Sequence, residues 1–110
     1  MKKLTFDEAM ERIADDRPVK REDVQERALN RTVWRASNGI PGCLDDSFGL
    51  YETKRDAADS LIDSFRHTGD MAVPRGMVRA LLGPGTTTSF AQPGEAYLFR
   101  VERMTLRDCL

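Results

Sequence analysis

The stretch "TKRDAADSLIDSF", residues 53–65, constrains the fold more than any other part of this chain. Thr53 stands three residues before Asp56, the spacing at which a threonine oxygen receives an amide of the first helical turn. Ala57, Ala58, Leu61, Ile62 and Phe65 then recur on one helical stripe, and Gly69 is placed to end the helix. A helix with a single apolar stripe has to bury it against another element. The flanking sequence offers strands. "RTVWRAS" (31–37) and "SFGLYE" (47–52) carry the β-branched and aromatic residues of a strand pair, joined by "NGIPGCLDD", whose Gly39, Pro41 and Gly42 supply turn geometry. After the helix, "TTTSF" and "EAYLFRVERM" read as a second pair around "AQPG", with Tyr97, Phe99 and Val101 alternating onto one face. The expectation is an α+β fold: a small antiparallel β-sheet built from two hairpins, with N-terminal helices and a central helix packed against it.

The remaining segments fit around that unit. In "LTFDEAMERIADD", Thr5 precedes Glu8 by three positions, and Phe6, Ala9, Met10 and Ile13 form one apolar face, so a capped amphipathic helix is expected to run to about Asp16, ahead of Pro18. "VKREDVQERALN" reads as a mostly solvated helix that buries only Val24, Ala28 and Leu29. "MAVPRGMVRALLGPG" holds a short helix on Met77, Val78, Leu81 and Leu82, closed by Gly83, Pro84 and Gly85. "TLRDCL" reads as a final short strand or turn. At 110 residues the chain is expected to form a single α+β domain over 1–110.

Charge excludes some classes of function. With 17 basic and 18 acidic side chains the formal net charge is -1, so no global field attracts nucleic acid and none imitates it. Arg75, Arg79, Arg100, Arg103 and Arg107 make the last third locally basic, but Glu95, Glu102 and Asp108 intervene, which favours a mixed-charge solvated face over direct nucleic-acid binding. Acids interrupt the opening "MKKLTFDEAMERIADD" before any apolar run, and no segment is long and apolar enough to span a membrane. The expectation is therefore a cytoplasmic protein with no membrane partner and with both cysteines, Cys43 and Cys109, reduced.

No convergent catalytic or cofactor motif emerges. One histidine, His67, at an expected helix end, and two cysteines far apart in sequence fall short of a zinc site, so no metal is expected. "LLGPGTTTS" lacks the lysine of a phosphate loop and leads into a strand rather than a helix. The adjacent acids Asp15/Asp16 and Asp45/Asp46 point apart on regular structure and serve acid–base chemistry poorly. Cys43 in the Pro-Gly bend is the one candidate nucleophile, weighed against an ordinary small residue at the mouth of a hairpin. No catalytic residue and no cofactor are expected.

Two resemblances bear on function. Pro41, Gly42, Cys43, Thr53 and Ala57, within "IPGCLDD" and "YETKRDAADSLIDSF", resemble the core of HicB-type antitoxins, in which a proline-glycine-cysteine turn follows a strand and a threonine-led helix comes next. The chain departs from that family in its two N-terminal helices and in showing no C-terminal ribbon-helix-helix or helix-turn-helix segment. In overall style, through "VWRASNGIPGCLDDS", "TKRDA", "PRGM" and "VERMTLRD", it is similar to small phage and mobile-element proteins of the anti-CRISPR kind. That second resemblance implies a non-enzymatic inhibitor that docks on a host protein or ribonucleoprotein complex, with Cas subunits as the suspected partner; the first implies neutralisation of a small toxin. Under either, the hairpin connection in the 38–57 stretch is expected to display its tip for recognition, with Asp45 and Asp46 meeting a basic groove and Phe48, Tyr51 or Trp34 as aromatic anchors. The three aromatics suit ordinary core positions better than a displayed role. A thiol-dependent enzyme using Cys43 is the third reading.

Overall fold

The structure, a computed structural model, describes residues 2–43, 47–66 and 72–110. Its centre is a four-stranded antiparallel sheet in the order β2-β1-β4-β3, from β1 (Thr32–Gly39), β2 (Ser47–Tyr51), β3 (Thr87–Ala91) and β4 (Leu98–Thr105). The two hairpins expected from the turn chemistry are present, and they join through β1 and β4, which pair along their whole length from Thr32↔Thr105 to Gly39↔Leu98. Strand β1 runs two residues further into "NGIPG" than its apolar content indicates, because Asn38 and Gly39 find partners on β4.

Side-chain alternation gives this sheet two different faces. The first carries Trp34, Ala36, Gly49, Tyr51, Thr88, Phe90, Phe99 and Val101. Helices α3 (Lys54–Arg66) and α4 (Met77–Leu81) cover it, crossing from the β2 edge to the β3 edge. Every residue of the expected α3 stripe is buried, and the Phe65 and Phe99 rings meet at 5.5 Å between centroids. Thr53 caps α3 through the Asp56 amide at 3.1 Å, and the Lys54 ammonium donates to the carbonyls of Gly83 and Gly85, tying the helix start to the turn after α4. The buried Thr88 hydroxyl donates to the Leu81 carbonyl at 2.7 Å, so β3 and the end of α4 are fastened without an unpaired polar group. Position 69 and His67 lie outside the described residues.

On the second face, helices cover one end only. There Val33, Leu50 and Met104 pack against α1 (Phe6–Ala14), α2 (Glu26–Leu29) and α5 (Leu106–Cys109). Helix α1 begins with the expected reciprocal cap between Thr5 and Glu8 and ends at Ala14, two residues early, where Asp16 turns the chain with φ of 57°. Donation from the Thr5 amide and hydroxyl holds the Glu8 carboxyl below its ordinary value. This cap therefore supports the helix above the ordinary glutamate pKa and is lost as the pH falls through the lowered one.

The segment after Pro18 corrects the expected single solvated helix. It is a 3-10 turn, Arg21–Asp23, followed by the four residues of α2, because Val24 between them is drawn into a parallel bridge with Leu4. Val24, Ala28 and Leu29 are the residues it buries, as the pattern indicates. The chain end corrects a second expectation: within "TLRDCL", Leu106–Cys109 form helix α5 rather than a short strand or turn. Thr105 caps it by accepting from the Asp108 amide, and Leu106 is fully buried. Arg107 reaches Glu26 and Asn30, and Arg21 donates to the Leu110 carbonyl at 2.8 Å, which closes α5 onto α2. Tyr97 falls just before β4 and is exposed, which departs from the expected shared face, while Phe99 and Val101 are buried on one face as expected.

Truncating the centre of the α3 stripe, Ile62→Ala, is expected to lower stability by about 3 kcal/mol. Removing the first cap, Thr5→Ala, should cost about 1 kcal/mol. Urea unfolding followed by circular dichroism checks both, and equal effects would contradict the assignment of Ile62 to the main core.

Candidate functional site

The residues singled out by sequence do not form one cluster. Trp34 and Tyr51 pair across β1 and β2 on the α3 face, where both are partly buried against the main core. The Lys54 ammonium sits 5.5 Å from the centre of the Trp34 ring, and the Tyr51 ring lies across Gly49, so close that a Cβ there would meet it at 3.0 Å. These two aromatics hold the β1–β2 hairpin to α3. Phe48 points the other way and is 56 % exposed. Strand alternation alone produces the split: positions 34, 49 and 51 share one face and positions 35, 48 and 50 the other. Asp45 and Asp46 lie outside the described residues.

What surrounds Phe48 is a surface that sequence reasoning did not assemble. Beyond Val33, Leu50 and Met104 the second face turns polar, with Arg35, Ser37, Arg100 and Glu102 on the central strands and exposed Thr87 and Ser89 on β3. The Arg35 guanidinium lies 4.8 Å from the centre of the Phe48 ring and 3.4 Å from the Glu102 carboxylate. A row of aromatic, cation and anion thus crosses β2, β1 and β4. Such a row is partly organised before any partner arrives, because each side chain already restricts the next. The signal was present in the sequence as a period-two relation between Phe48 and Leu50 and between Arg35 and Ser37, but their common face depends on a register that sequence does not give.

At one end of this face the chain leaves β1 through a tight turn in which the Cys43 amide donates to the Ile40 carbonyl at 3.0 Å and Gly42 takes φ of 88°. That conformation suits glycine and strains residues with a Cβ. Ile40 is 42 % exposed at the rim of a shallow cavity of about 150 Å³, lined by Ser37, Leu98, Arg100 and Cys43. At the other end, beside the edge strand, Phe48 and Leu50 border a mostly apolar groove of about 370 Å³ with Ile13, Val19 and Leu110, which the charged Asp16 and Arg17 also line.

The arginines of the last third do not converge. Arg100 and Arg103 fall on opposite faces of β4, and Arg107 is engaged with Glu26 and Asn30. Among the described residues, no three metal-capable side chains come together, and no helix is long and apolar enough to cross a membrane. Comparison with family models, curated proteins and solved structures gives no match.

The two cysteines are both free but differ in setting. Cys43 is exposed in the turn, whereas Cys109 is half-buried with its sulfur 3.8 Å from that of Met104, and burial pushes its thiol pKa up. Thiolate is the reactive form, so Cys109 is disfavoured both by access and by ionisation. Labelling with a disulfide reagent at neutral pH should modify Cys43 at least about tenfold faster than Cys109. The measurement is a stopped-flow trace with the Cys43→Ser and Cys109→Ser variants; equal rates would contradict the burial of the C-terminal thiol.

Proposed function

We propose that this protein is a non-enzymatic docking inhibitor, of the kind phages and mobile elements carry, which blocks a Cas surveillance complex by covering part of its surface. The observation that supports docking is the part of the second sheet face beyond the helices, where exposed Phe48, Ile40 and Arg100 surround the half-buried Arg35–Glu102 pair. Exposed apolar anchors, with arginine beside them, are the residue types that a protein partner buries productively. The choice of a Cas complex rests on the resemblance in sequence style to anti-CRISPR proteins. The Ile40 turn and Arg100 are exposed at one end of the face, and the Phe48 row continues the surface across the sheet.

The test is capture of the tagged protein from a bacterial lysate with an active type I CRISPR–Cas system, followed by a high-salt wash and mass spectrometry. Cas subunits are the expected retained species. Ile40→Asp and Arg100→Glu should each reduce their recovery by about tenfold, equivalent to about 1.4 kcal/mol of binding. Retention of Cas subunits unaffected by either change would place the contact elsewhere. Recovery of a small toxin in their place would move the function to the HicB-like antitoxin reading.

A further inference from the structure

The outer edge of β2 has the form of an unfinished sheet. Strand β2 pairs only with β1, and among the described residues no strand lies along its other side. Its five residues, Ser47–Tyr51, contain no charge and no proline. Charged side chains, prolines and bulges are the usual means by which a monomer keeps such an edge from pairing, and β2 has none of them. The opposite edge, β3, is also uncharged, but on this face it presents only Thr87, Ser89 and Ala91, which are too small to anchor a partner.

What distinguishes β2 is that an exposed apolar group and a mostly apolar groove, with Asp16 and Arg17 also in its lining, occur on the same face of the same strand. Phe48 projects there, 56 % exposed, and the groove beside it is bordered by Leu50, Ile13, Pro18, Val19 and Leu110. A surface carrying both a knob and a matching hole is self-complementary under a two-fold axis, because each copy supplies its knob to the other's hole.

We propose that the protein forms a symmetric dimer in which the β2 strands of two copies pair antiparallel about Gly49, extending the sheet from four strands to eight. In this register Phe48 stands opposite Leu50 of the second copy, so each phenyl ring enters the other copy's groove. Gly49 at the centre has no side chain to interfere, and its other face is already covered by the Tyr51 ring. The pairing satisfies the outward backbone groups of both strands and removes both exposed aromatic rings from water.

The contact is small. Two five-residue edges and two aromatic anchors bury on the order of 1,000 Å², at the low end for specific association, so the dissociation constant is expected to be on the order of 10 μM. The dimer shares Phe48 with the proposed docking surface, so pairing removes that residue from the target contact; the two are separated because the dimer is tested at Phe48 and the target contact at Ile40 and Arg100.

Sedimentation velocity over roughly 2 to 500 μM, a range bracketing that constant, tests the proposal. The wild-type coefficient should rise from the monomer to the dimer value. Phe48→Asp should remain monomeric with an unchanged circular dichroism spectrum, while Ser89→Asp on β3 should dimerise like the wild type. Hydrogen exchange provides a second reading: amides within 47–51 should slow as protein concentration rises, with those of β3 unaffected. A wild-type protein that stays monomeric throughout, or a dimer that survives Phe48→Asp, would overturn it.

Discussion

The pairing of β1 with β4 is the constraint on which the rest of this structure depends. Each strand belongs to a different hairpin, and each hairpin alone is too small to be stable in water. Their eight-residue register, from Thr32↔Thr105 to Gly39↔Leu98, turns two marginal ribbons into one sheet with a buried middle. Val33 and Val101 are both fully buried, yet they face opposite sides of that sheet, so the central strands are covered by two separate clusters at once. Loss of this pairing would leave neither α3 nor the N-terminal helices with a surface to pack on.

The two clusters cover the sheet unequally, and the candidate surface follows from the difference. Helices α3 and α4 form a layer that spans the first face from edge to edge, with Lys54 tying the start of α3 to the turn after α4 and the Thr88 to Leu81 bond fastening the end of α4 to β3. On the second face α1, α2 and α5 are short and bound to one another, through the Leu4–Val24 bridge and the Arg107–Glu26 pair, so they cover only the end near Val33. The polar strip around Arg35 and Arg100 is what remains beyond their reach. The exposure of Phe48 has the same origin, since Leu50, two residues along the same face, is partly covered by the N-terminal cluster and Phe48 lies past its limit.

Local signals proved readable where the interaction they depend on is local. The two threonine caps, at Thr5 and Thr53, and the five-residue apolar stripe of α3 act within three or four residues, and each is found where the spacing puts it. Strand content was legible for the same reason. The region after Pro18 and the last six residues were misread because their conformations answer to distant partners. Val24 is bridged to Leu4, and Leu106 is drawn into the N-terminal cluster while its amide donates to Arg31. Helix propensity and β-branching carry no information about such partners.

The sequence by itself determined the α+β class, the two hairpins, the capped helices and the identity of most core residues, because apolar periodicity and capping are short-range consequences of backbone geometry. Only the tertiary structure decided which face each strand residue occupies. Trp34, Phe48 and Tyr51 look equivalent along the chain, but the register of β1 with β2 sends Trp34 and Tyr51 under α3 and Phe48 into the open. The assembly of Phe48, Arg35 and Glu102 into one row was likewise a tertiary outcome, since it joins three strands whose alignment is fixed by side chains far apart in sequence. In a sheet a shift of one residue exchanges the faces, and that choice rests on the summed packing of both clusters rather than on any residue considered alone.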